Sequence, residues 1–162
     1  MTQIAALAGA AGIIGLGSLL HLVGMATPHW LKLNDPGSIG LWQVCIQFCL
    51  TIEDKAGWLI ACDFFSVMGV LSSVAALVLI AFSFFNAFKG RPQHSTIPIF
   101  LTASTSLAAT CIIICIIIFA SKTVHTSLLG YSFYLSIAGG VLITIGGILG
   151  FIINRRFSYG PK

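Results

Sequence analysis

Four long apolar runs, at residues 4–26, 58–85, 97–120 and 131–153, constrain this chain more than anything else in it. Each exceeds the roughly 20 residues an α-helix needs to cross a hydrocarbon core of about 30 Å. The run Ile112-Ile113-Ile114-Cys115-Ile116-Ile117-Ile118 has strand propensity in water. In lipid, however, every backbone group must bond within its own segment, so helix wins. Only 7% of the 162 residues are charged and 57% are apolar, whereas a soluble domain carries about 25% charged residues. The expectation is an all-α membrane protein: a left-handed four-helix transmembrane bundle forming a single domain over residues 1–162, with no length left for a second.

The first run is expected to stay on the chain as a helix. It outlasts the roughly 7–15 apolar residues of a secretory signal core, and Met1-Thr2-Gln3 supplies no basic lead. Thr27-Pro28 ends it, because the residue before a proline is pushed out of the α region. Small residues along it, among them Gly9, Gly12, Gly15 and Gly17, allow a neighbouring helix to approach closely, as do Gly139, Gly140, Gly146, Gly147 and Gly150 in the last run. Ser95-Thr96 followed by Pro98 reads as the capped start of the third.

The net charge of +4 matters through its placement. Lys89, Arg91, Arg155, Arg156 and Lys162 fall in the second loop and the tail, against Lys32, Lys55 and Lys122 in the first and third loops. The positive-inside rule then puts both termini in the cytoplasm and the loop at 27–57 outside. No basic stripe exists to carry nucleic acid.

That outer loop is the largest aqueous element. Gly40, Trp42, Val44, Ile46 and Phe48 alternate with Leu41, Gln43, Cys45, Gln47 and Cys49, the period of a half-buried strand, and Asn34-Asp35-Pro36-Gly37 is turn chemistry upstream. A small extracellular antiparallel β-sheet resting on the membrane face follows, its apolar parity against the helix tops. Cys45 and Cys49 face an oxidising compartment, and a disulfide between them is the first hypothesis. A straight strand would hold their α-carbons about 13 Å apart, while a disulfide needs about 4.4–6.8 Å. If the bond forms, the chain must turn at Ile46-Gln47-Phe48. Two free thiols, or a partner in Cys62, are the alternatives. Cys111 and Cys115 read as buried apolar residues.

His21 and Asp63 are the ionisable groups inside the spans, at similar depth if their helices are antiparallel neighbours. They are a candidate intramembrane pair, beside the reading in which each reaches separately into the interface. No catalytic constellation emerges: there is no phosphate loop, nucleophile elbow or proton relay, and the helices lack the breaks of a transporter site. No enzyme activity, cofactor or metal is expected.

Trp30, then Gly40-Leu41-Trp42, then Cys45 and Cys49, set just after the first of four helices, resemble the motif of the claudin superfamily, which includes the claudins and the epithelial membrane, peripheral myelin and lens fibre membrane proteins. Tyr131-Ser132-Phe133-Tyr134-Leu135-Ser136 before a Gly-rich run is similar to the entry to that family's last helix. The short gap between the cysteines lies closer to the epithelial membrane and lens branches. Ala61-Cys62-Asp63 stands where the family often has a basic residue.

The resemblance implies a structural protein of the plasma membrane and its junctions, making lateral and cell-to-cell contacts with lipid and with copies of itself in cis and in trans. Ile39, Leu41, Ile46 and Phe48 are the expected contact surface. The alternative is an accessory subunit of a membrane channel or receptor. The tail, Ser158-Tyr159-Gly160-Pro161-Lys162, lacks the apolar end a PDZ scaffold needs.

Overall fold

The computed structural model describes residues 2–33, 37–90, 96–123 and 129–158. The expected turn residues 34–36, residues 91–95 of the second loop, 124–128 of the third and the tail at 159–162 lie outside the described residues. Four helices are seen: α1 (Thr2–Ala26), α2 (Gly57–Phe88), α3 (Ile97–Lys122) and α4 (Tyr131–Ser158). Among the described residues these are the four helices long and apolar enough to cross a membrane, which makes this a multi-pass membrane protein.

The helices form a ring in the order α1, α2, α3, α4, with α4 closing back on α1 and little contact across the α2–α4 diagonal. The register of close approaches is antiparallel at every step. On α1 and α4, Ile14 lies by Gly146, Gly17 by Gly139 and Gly24 by Ser136. On α3 and α4, Leu101 lies by Gly150, Thr105 by Gly147 and Ile112 by Gly140. Glycine sets these distances. A Cβ on Gly139 would fall 2.6 Å from the Gly17 carbonyl oxygen and 2.8 Å from the His21 amide nitrogen, so α1 and α4 touch backbone to backbone there. Without a hydrophobic drive between helices in lipid, such van der Waals contact supplies much of the association energy.

Between α1 and α2 lie four short strands, β1 (Leu31–Lys32), β2 (Ser38–Ile39), β3 (Gln43–Cys45) and β4 (Cys49–Thr51). They form one antiparallel meander in chain order. An isolated bridge from Leu31 to Leu129 ties its first strand to the approach to α4.

The helix ends differ from expectation in one direction. The second and fourth helices run past 85 and 153, to Phe88 and Ser158. Asn86 is buried within α2, and the Lys89 amide closes the last turn onto the Phe85 carbonyl. Polarity at 86 and 154 read as the end of each span, but both asparagines are buried. Thr96 precedes α3 with helical backbone angles and makes no side-chain cap; Pro98 occupies the first turn as expected.

Candidate functional site

The site is the sheet end of the bundle, and Trp30 fixes it. After Thr27-Pro28 the chain leaves α1, and the Trp30 amide donates to the Ile39 carbonyl at 3.0 Å while its own carbonyl accepts from the Gly130 amide at 2.8 Å. The backbone of one residue thus joins the sheet to the start of α4. Its indole turns inward, fully buried, and Nε1–H donates to the Gly24 carbonyl at 2.7 Å. That carbonyl is one of the last of α1, which has no amide of its own helix to accept from. The ring packs on Phe119 of α3 at 5.0 Å and edge-on to Phe133 of α4 at 5.8 Å between centroids, with Trp58 of α2 5.9 Å from Phe119. One side chain therefore closes the bundle and carries the sheet.

Gly40-Leu41-Trp42 is the turn between β2 and β3, held by the Gly40 amide donating to the Gln43 carbonyl at 2.8 Å. A Cβ at Gly40 would sit 2.6 Å from Pro28 Cα, so only glycine lets this turn lie on the end of α1. Leu41 is fully buried in the cluster of Trp30, Leu59, Phe119 and Phe133. Its expected place on the exposed contact surface is therefore wrong. Straight alternation through residues 40–42 would turn Leu41 outward, but the chain turns there, so the parity of β3 does not extend to it. Trp42 is half-buried against the same cluster, with Lys55 Nζ 4.1 Å from its ring centroid.

Beyond Trp42 the hairpin runs outward. Cys45 and Cys49 are opposite partners in the β3–β4 register and form a disulfide with α-carbons 4.1 Å apart. The chain turns at Ile46-Gln47-Phe48, where the Ile46 amide donates to the Phe48 carbonyl at 3.3 Å. Ile46, Phe48 and Leu50 share one parity and are 61%, 80% and 70% exposed. With Val44 and Gln47 they line a shallow cavity of about 250 Å³. Here the expected apolar parity leaves the helix tops and faces outward, because the bundle is already covered by Trp30, Leu41 and Trp42. Leu50 belongs to this surface and was missed; joining Cys45 to Cys49 sets Val44 opposite Leu50, and that register was the available signal. Ile39 is only partly exposed, in the middle of the sheet.

His21 and Asp63 are both buried, but the structure does not pair them. Asp63 Oδ2 takes an ion pair from Lys55, which lies in the segment before α2. His21 Nε2–H donates to the Ser66 carbonyl at 3.3 Å, and among the described residues its Nδ1 has no hydrogen-bond partner. Near Gly69 and Gly139, His21 occupies space that both glycines leave open. Asp63 sits higher, where Lys55 reaches it from the loop. The two share one end of the bundle but not one depth: His21 lies beside Ser66 and Gly69, a turn or more further in than Asp63.

The fold and this end of it define a class: a four-span membrane protein whose exposed surface beyond the helices is a disulfide-closed, apolar-tipped hairpin. No protein-family model and no curated protein matches the chain.

Proposed function

We propose that the protein is a structural component of the plasma membrane, of claudin-like kind, with the sheet end outside the cell and both termini in the cytoplasm. It organises membranes by lateral contact and by contact between cells. The observation that carries this reading is the apolar tip of Ile46, Phe48 and Leu50, held out on a braced hairpin. Exposed apolar side chains grouped on a rigid support, with polar surroundings such as Gln43, Gln47 and Thr51, are the ordinary make-up of a protein contact site. Each motif residue has a separate use in the fold: Trp30 as lid, Gly40 as close approach, Leu41 as core, Cys45 and Cys49 as brace.

Expression of the chain alone in non-adherent cells tests it. The protein is expected to enrich where two expressing cells meet, and Ile46→Ser with Phe48→Ser is expected to lower that enrichment about tenfold or more, since each apolar side chain contributes on the order of 1.5–3 kcal/mol when buried. Both residues are exposed, so folding should change by less than about 0.5 kcal/mol. Absence of enrichment, together with co-purification of a larger channel or receptor, would favour the accessory-subunit reading instead.

A further inference from the structure

Beneath Trp30 the bundle holds two thiols that the contact function does not use. Cys62 on α2 and Cys115 on α3 are 0% and 1% exposed, and both are reduced in this structure. Cys62 Sγ–H donates to the Cys115 carbonyl at 3.6 Å. Ser66, one turn after Cys62, donates its hydroxyl to Cys115 Sγ at 3.2 Å and so holds that sulfur toward α2. The pair lies about 8–10 Å in from the sheet-side ends of α2 and α3. Its end of the bundle is the one where Cys45 and Cys49 are joined.

We propose that Cys62 and Cys115 are a second disulfide site, closed by thiol–disulfide exchange, that staples α2 to α3 beneath the aromatic lid. The Cys62 sulfur already lies 3.6 Å from the backbone of Cys115 itself, so the two residues face each other across the helix pair, as a disulfide requires. The co-reactant is an oxidised protein dithiol carrier of the compartment that also closes Cys45–Cys49. One cysteine, as thiolate, attacks the carrier disulfide, forming a mixed disulfide and expelling one carrier thiolate. The second cysteine, as thiolate, then attacks its partner's sulfur in the mixed disulfide and expels the other. The two protons lost by Cys62 and Cys115 end on the carrier thiols; the carrier gains two electrons and the pair loses two. Trp30 and Phe119 cover the site in the folded chain, so exchange belongs to the stage before Trp30 seats. The inference is independent of the contact function, and requires only that the sheet end meets an oxidising compartment.

The test uses full-length protein from cell membranes, isolated without reductant, denatured in the presence of an alkylating maleimide and weighed intact. The expected result is one alkylated thiol, Cys111, rising to five after reduction, and a digest containing a peptide that links Cys62 to Cys115. In Cys111→Ser, which leaves the pair intact, no thiol should be alkylated before reduction, and in Cys62→Ser two should be. Three alkylated thiols in the wild-type chain, or a peptide linking Cys111 to another cysteine, overturns the proposal. If Cys62→Ser fails to fold, the wild type and Cys111→Ser decide between these outcomes.

Discussion

Replacing Trp30 separates the two things that side chain does. Trp30→Ala removes a fully buried indole that packs on Phe119 and Phe133. A change of that size in a core costs about 3–5 kcal/mol. Trp30→Phe keeps most of the ring contact but deletes the Nε1–H bond to the Gly24 carbonyl. That oxygen is then left with the Thr27 hydroxyl at 3.4 Å, and weakening a buried hydrogen bond in this way costs about 1–3 kcal/mol. Alanine should therefore exceed phenylalanine by about 2 kcal/mol. Reversible unfolding in mixed micelles, with increasing mole fraction of denaturing detergent and near-ultraviolet circular dichroism as readout, measures both. The rate at which dithiothreitol reduces Cys45–Cys49 should follow the same order, because the sheet loosens with its lid. Equal losses for the two variants would show that packing contributes nothing beyond the hydrogen bond. Losses under about 1 kcal/mol for both would show that Trp30 does not hold the sheet to the bundle.

Gly139→Ala should destabilise by about 1–3 kcal/mol in the same assay, since its methyl meets α1 backbone rather than a movable side chain. Gly12→Ala, where a Cβ meets nothing within 4 Å, should be neutral or slightly stabilising. Lys55→Met leaves the buried Asp63 without its cation and removes the cation from Trp42, and should cost about 1–3 kcal/mol. The double change Lys55→Met with Asp63→Leu should recover most of that; a double variant no more stable than the single one would refute the importance of the pair.

The bundle was legible because lipid leaves a long apolar run few alternatives. The hairpin turn was legible for a geometric reason: two cysteines four residues apart cannot bond on a straight strand, so joining Cys45 to Cys49 requires the reversal seen at 46–48. The glycines of the last helix announced close packing, though not that α1 would be the helix meeting Gly139. What escaped reading depended on direction rather than composition. Leu41 was misplaced because alternation carries no memory across a turn. The partner of His21 is a backbone carbonyl, which every residue carries and no sequence marks. Lys55 lies before α2, where its charge read as part of a nearly neutral loop, although it is the cation preceding the only acid in a span. That proximity in sequence was the available signal.

The backbone contact between Gly17 and Gly139 also bears on how the chain is made. The most extensive contacts of α1 are with α4, which is synthesised after α2 and α3. About 100 residues separate the end of one from the start of the other, and at roughly 5–20 residues per second α1 waits on the order of 5–20 s for that partner. During the interval, the glycine-lined strip and the buried face of His21 confront lipid or a temporary companion. A chaperone of membrane insertion would find its client in the first helix, and truncation before Tyr131 would leave that helix without its main support.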